Sequence, residues 1–231
     1  MKLGIMQPYF FPYAQQVRHI AQCDQWVVFD TPQFTRKSWI TRNRIADRNT
    51  EWTYISVPVE KGASRGSIAE ARIWGEDWKA TLRDRLRVYE HHAPFYAETV
   101  ALVDACIESP ATTVADLNTT ILRTVTTAFA ITTPIVRLTE LDLDLPSSAA
   151  PGEWALLISE QLGASVYSNA PGGRHLFDAD LYRSRGVELE FYEPVPLEFA
   201  TSGLPFTPDL SLVDPLMWLG VDGLASWCAA G

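Results

Sequence analysis

The sequence predicts an α/β fold built on an open, mostly parallel sheet. Three observations predict it. Residues 1–30 read strand, helix, strand, which is the size of one βαβ unit. Strand and helix patterns alternate again from about residue 133 to the end. The chain has 231 residues with 47% apolar content, enough for one sizeable core.

In chain order, "KLGIMQ" reads as a first strand, and "YAQQVRHIAQCD" has helical spacing with Val17, Ile20 and Ala21 on one side. "QWVVFD" is a second short apolar strand, and "EWTYISVPVE" a third by its β-branched and aromatic content. "KGASRGS" is a polar loop. Segments 76–90 and 94–107 look helical and break at "HHAP". The stretch from Ser109 to Ile131 continues as a helix with a Ser or Thr cap. "TPIVRLTEL" suggests a short strand. "PGEWALLISEQLGA" is a helix with proline at its entrance and Gly163 just past its end. "SVYSN" and "VELEFYE" are strands, 194–208 is a proline-rich loop, and an apolar closing helix is expected to break near Pro215. The whole, 1–231, reads as one domain with a Rossmann-like sheet, helices on both faces and a helix-rich middle that is a candidate cap at about 75–130.

The net charge of −9 argues against nucleic acid as a partner, because phosphate neutralisation needs a positive face. No stretch has the length and apolarity of a membrane span, and no basic segment followed by an apolar run suggests a secretory signal. Cys23, Cys106 and Cys228 are widely spaced, which fits reduced thiols in a cytoplasm, not a zinc site. The expected partner is a small molecule, or a carrier protein if the substrate is carrier-bound. No metal and no cofactor is read. GxSxG, GxGxxG and Walker A loops are missing from the sequence.

Three stretches carry candidate chemistry. "QPYFFPY" falls where the first strand hands over to a helix, the usual ligand position in open α/β sheets. The order of elements is loosely that of nucleotidyltransferases, but "YAQQ" stands where their HxGH motif would be. Gln7, Tyr9 and Tyr13 are binding candidates; Phe10 and Phe11 read better as packing. The second stretch, 29–48, gathers Arg36, Lys37, Arg42, Arg44 and Arg48 in an acidic chain. Such a cluster suits a phosphate or carboxylate, unless neighbouring acids pair with it as a solvated charged face. Asp30 ends the second strand, and Gln33, Trp39 and Asn43 follow in what reads as a compact loop. The third, "VYSNAPGGRHLFD", offers Asn169, Gly172, Gly173, His175 and Asp178 around a turn whose N–H groups suit an anion. Asn118 lies mid-helix among threonines and points either into a site or to solvent.

"MQPYFFPY", "FDTPQFTRKSWITRNRI", "YSNAPGG" with "LFDADLYRSRGVELEFYE", and "FTPDLSLVDPLMWLG" together resemble the WbqC-like family from Met1 to about Leu224. Members typically read MQPYFFPY, a strand ending Asp-Asp-Val-Gln, and W-x-N-R-N-R-I. This chain keeps Asp30, Gln33, Trp39, Arg42, Asn43 and Arg44 of that pattern. It has Thr31 and Thr41 at two others, and Ala14-Gln15-Gln16 where members often carry Gly-Tyr-Phe, which points to a different substrate. The resemblance implies a role in bacterial polysaccharide or specialised-metabolite biosynthesis, on sugars, amino acids or acyl groups.

The leading expectation is a transferase that moves an acyl or aminoacyl group from an activated donor (carrier-protein, coenzyme A or nucleotide type) to an amine or sugar. Asp30 would be the general base, and Lys37 and Asn43 are read as catalytic with it. Arg36, Lys37, Arg42 and Arg44 would hold the donor's phosphate, and Gln7, Gln33, Asn43 and Asn169 would orient the substrate or stabilise a developing oxyanion. A non-catalytic module presenting a sugar nucleotide or carrier-bound intermediate is the alternative. A covalent acyltransferase using Cys23 is the third reading.

Overall fold

A computed structural model describes residues 1–146 and 148–230. Five strands form one sheet: β1 (Lys2–Met6), β2 (Gln25–Val28), β5 (Ile135–Arg137), β6 (Val166–Asn169) and β7 (Glu188–Phe191). Their order is β5-β2-β1-β6-β7, and every pairing is parallel. The chain builds outward from β1 through β2 to β5, then crosses back to β6 on the other side of β1. The strand order therefore reverses between β1 and β6, the place where open α/β sheets form a crevice at their carboxyl ends.

Period-two alternation sends β1 and β6 side chains to opposite faces. Leu3, Ile5, Val27 and Tyr167 pack under α5 (Pro151–Gln161) and α6 (Ala179–Ser184), joined by Leu156, Ile158 and Tyr182. On the other face, Trp26 and Val28 meet Ile20 and Cys23 at the end of α1 (Ala14–Ala21) and Leu122 of α4 (Val114–Ala128). Gly4 is required there. A Cβ on it would lie 2.3 Å from Trp26 Cε3, so only glycine lets the indole cross β1.

The long passage from β2 to β5 holds most of the rest, and the closing helix after β7 packs onto it. An antiparallel hairpin, β3 (Arg42–Asp47) and β4 (Glu51–Ser56), stands apart from the main sheet. Arg42, Asn43 and Arg44 therefore lie on a strand, and Asn43 is not in the compact loop expected for it. The buried Ile45 and Ala46 of β3 and Ile55 of β4 hold the hairpin on the core. Helices α2 (Asp77–Leu86), α3 (Tyr96–Ile107), α4 and α7 (Val213–Ala229) share one apolar core with this hairpin and with Phe10 and Phe11. Thr113 caps α4: its hydroxyl accepts from Asp116 N, and the Asp116 carboxylate accepts from Thr113 N. The break in α7 falls at Gly220 (φ 68°), not near Pro215. Pro215 sits in the first turn, where a missing N–H leaves no ladder bond unmade.

Two buried titrating groups oppose one another. Burial pushes the Asp214 carboxyl up to about 6, with Tyr89 Oη donating to it at 2.6 Å. Burial pulls the His19 imidazole down to about 4, where Nε2 lies 2.9 Å from Ser168 Oγ. The Asp214 contribution to stability is present in acid and fades as pH rises through its folded value. That of His19 is present above its unfolded value and fades as pH falls towards its folded one. The two largely cancel between about pH 4 and pH 6. Asp214→Asn keeps an acceptor for Tyr89 and removes one side of this balance. Relative to wild type, the variant is expected to gain on the order of 3 kcal/mol between about pH 4 and pH 7. Urea unfolding across that range checks it; parallel curves for the two proteins would contradict the assignment.

Candidate functional site

A cavity of about 830 Å³ opens at the carboxyl edge of the sheet, at the β1/β6 reversal. Met6 and Gln7 leave β1 into it, Phe29, Thr31 and Pro32 follow β2, and Tyr167 and Asn169 end β6. The first turns of α5 contribute Pro151, Trp154 and Ala155. The 3₁₀ turn 171–176 and Phe177 close the outer side. Asn169 is held at both ends of its amide: Oδ1 accepts from Tyr167 Oη at 3.1 Å, and Nδ2 donates to Ala170 O at 3.1 Å. Burial raises the phenols of Tyr9 and Tyr167, so both stay neutral donors at physiological pH. Among the described residues that line the cavity, none carries a formal charge. At the α5 amino terminus the Glu153 carboxylate accepts from Ala150 N at 3.0 Å, and its negative charge there disfavours an anion.

The opening loop is fixed in place by buried amides. Asn43 Nδ2 donates to Phe11 O (2.8 Å) and Phe10 O (3.3 Å), and Asn118 Nδ2 donates to Pro8 O (2.9 Å) and Ile40 O (2.8 Å). Ser211 Oγ donates to Phe11 O as well. These bonds hold Phe11 at φ 39°, a left-handed backbone uncommon for an aromatic residue. The loop is thus a preformed wall, and its tight hold explains why Gln7 and Tyr9 reach the cavity while Phe10 and Phe11 pack inward.

A model of the WbqC-like protein family matches residues 7–226. The chain belongs to that family. The uncharacterized protein Rv1507c of Mycobacterium tuberculosis is 25% identical over 227 residues, covering 96% of this chain and 95% of the relative. No solved structure matches the chain. No helix among the described residues is long and apolar enough to cross a membrane.

Within this WbqC-like chain the residues expected to form one site divide into several places. Gln7, Tyr9, Asn169, Gly172 and Gly173 meet at the cavity. Arg36, Lys37 and Arg42 line a separate groove. Tyr13 meets Trp39 edge to face, and the Arg44 guanidinium lies over the rings of Trp39 and Trp52 while also donating to Asp209 O. Gln33 Nε2 donates to Ser64 O and ties down the turn at 63–65. Asn43 and Asn118 are fully buried and spend their amide N–H groups on backbone carbonyls. Asp178 caps α6 through the N–H groups of Asp180 and Leu181, and His175 is exposed on the 3₁₀ turn.

Asp30 does not fit the role of base. It is 0% exposed and does not line the cavity, although Phe29 and Thr31 on either side do. Its Oδ2 accepts from Arg137 Nε (2.7 Å) and Thr139 Oγ1 (2.7 Å), and its Oδ1 accepts from Thr139 N (3.2 Å). A carboxylate so occupied and so far from solvent holds the sheet edge together. Cys23 is buried on the opposite face of the sheet, and burial pushes its thiol up to about 12. That state is unreactive at neutral pH.

Trp154, Tyr167 and Phe177 also line the cavity, although residue type alone does not mark them as binding residues, and Thr31, where the family pattern has Asp, lines it too. Tyr167 was accessible to reasoning, since it lies two residues before Asn169 on one strand and shares its face. Trp154 sits in the first turn after Pro151, at the helix end nearest the sheet's carboxyl edge.

Proposed function

We propose that this chain is a transferase that moves an acyl or aminoacyl group from an activated donor to a small amine or hydroxyl acceptor. The reaction takes place in the cavity at the β1/β6 reversal. The position of that cavity carries the reading: a preformed pocket of about 830 Å³ at the topological switch of a parallel sheet is where α/β proteins hold small organic ligands. The amides of Gln7 and Asn169 and the neutral Tyr9 phenol supply donors suited to a developing oxyanion. Phe29, Trp154 and Phe177 supply flat apolar walls. With no charged side chain among the described lining residues, rate acceleration rests on positioning and fixed dipoles. The buried, protonated Cys23 favours direct transfer over a covalent thioester.

The same uncharged lining supports a second reading, a module that binds and presents a ligand without turnover. One experiment separates the two. Thermal shift is measured with coenzyme A thioesters, pantetheine thioesters, aminoacyl-adenylate analogues and nucleotide sugars, and each stabilising compound is then incubated with amine acceptors and analysed by mass spectrometry. At a hundred times Kd a ligand adds about 2.7 kcal/mol of stability, a clear shift. Binding with a product of the expected mass supports the transferase. Binding without product supports the module. A panel with no shift at all overturns the cavity as a small-molecule site.

A further inference from the structure

We propose that the groove between residues 34–42 and 54–59 binds the phosphate or pyrophosphate group of an organic ligand, at a site separate from the cavity. The groove measures about 420 Å³ and shares no lining residue with the cavity at the β1/β6 edge. Among the described residues, Arg36, Lys37 and Arg42 line it and no carboxylate does. In a chain of net charge −9, a basic cluster is expected to be paired with acids if it is only a solvated face. It is not paired. Among the described residues, none of the five basic side chains from Arg36 to Arg48 forms an ion pair with a carboxylate; elsewhere Lys79, Arg83, Arg123, Arg137 and Arg185 do, while Lys61, Arg65 and Arg85 do not, so what marks this cluster is that the unpaired Arg36, Lys37 and Arg42 share one groove.

The cations are held by neutral groups instead. Arg36 Nη2 donates to Glu60 O at 3.0 Å. The Arg42 guanidinium lies over the Tyr54 ring, 4.2 Å from its centroid, and its Nε has no partner. Both forks are thereby oriented while keeping N–H groups to spare for an anion. Lys37 adopts φ 58°, an unfavourable backbone for a residue with a Cβ, and such strain collects at binding sites. Phe34, Tyr54 and Val59 give the groove an apolar side, which suits a phosphate carried on an organic group over a bare ion.

Isothermal titration of the full chain with inorganic pyrophosphate and with ADP tests the site. The charge-removing variant is Arg36→Gln/Lys37→Gln; both side chains are exposed, so the fold is retained, and an unchanged melting temperature verifies this. Arg87→Gln, an exposed arginine paired to Glu90, is the control. Saturable binding of either compound with Kd below about 1 mM, weakened at least about tenfold in the double variant and unchanged in the control, is the expected result. Saturable binding of neither compound overturns the proposal, as does equal binding by wild type and the double variant. Neither result bears on the cavity, which the double variant leaves intact.

Discussion

Arg137→Met is expected to lower the unfolding free energy by about 3–5 kcal/mol, because it strands a fully buried carboxylate. Asp30 is 0% exposed, and Arg137, with 15% of its side chain exposed, is its cationic partner at 2.7 Å. The same guanidinium also binds the Asp116 carboxylate, which itself closes the cap of α4. One side chain therefore joins the end of β2, the end of β5 and the start of α4 at the carboxyl edge of the sheet. For a chain of this size the loss corresponds to a fall in Tm of about 6–20 °C. Asp30→Asn should cost less, since Arg137 keeps Asp116 and the amide still accepts from Thr139. Arg137→Met/Asp30→Leu should recover part of the loss, because the unpaired buried charge is gone. Urea unfolding of the three variants measures this ordering. A cost below about 1 kcal/mol for Arg137→Met would mean that Asp30 is well solvated without its partner. Asp30 would then return as a candidate base.

That pair also shows where reading the sequence stops. Asp30 ends a strand at the correct sheet edge, and local pattern places it there. Its partner lies 107 residues away, so nothing local tells a catalytic carboxylate from a clamped one. The same holds for Asn43 and Asn118. Their amides look like ligand contacts by residue type, yet they bond to carbonyls of an irregular loop, and backbone partners leave no trace in sequence. By contrast, the parallel sheet was legible, because short apolar strands alternating with capped helices admit few other layers. Pro151 at the first position of α5 and Gly163 just past its end marked that helix correctly. The hairpin was half legible. β4 has strand composition, whereas β3 alternates Arg42 and Arg44 with buried Asn43 and Ile45, and its polar residues masked the period of two. The strand order was hidden, since it depends on a passage of more than a hundred residues between β2 and β5.

Gly173→Val is expected to weaken ligand binding in the cavity roughly 100-fold while sparing the fold. A Cβ at this position would lie 2.6 Å from Asn169 Nδ2 and 3.2 Å from Phe177 Cε2, and both residues line the cavity. Valine must therefore turn the Asn169 amide away from Ala170 O and push the Phe177 ring. The contacts are with side chains, so the strain falls on the site and costs about 1–3 kcal/mol of stability at most. Losing one oriented amide and part of an apolar wall is worth roughly 100-fold in Kd for whichever donor stabilises the wild type. Gly172→Ala is the matched control, because a Cβ there meets nothing within 4 Å. Unchanged binding in Gly173→Val would remove the cavity from consideration. Asn169→Leu then distinguishes what the amide does. If it stabilises the oxyanion of a transfer reaction, kcat falls by about 10²–10³ with KM little changed. If it only holds the ligand, the loss appears in Kd and KM, as the presenting module requires.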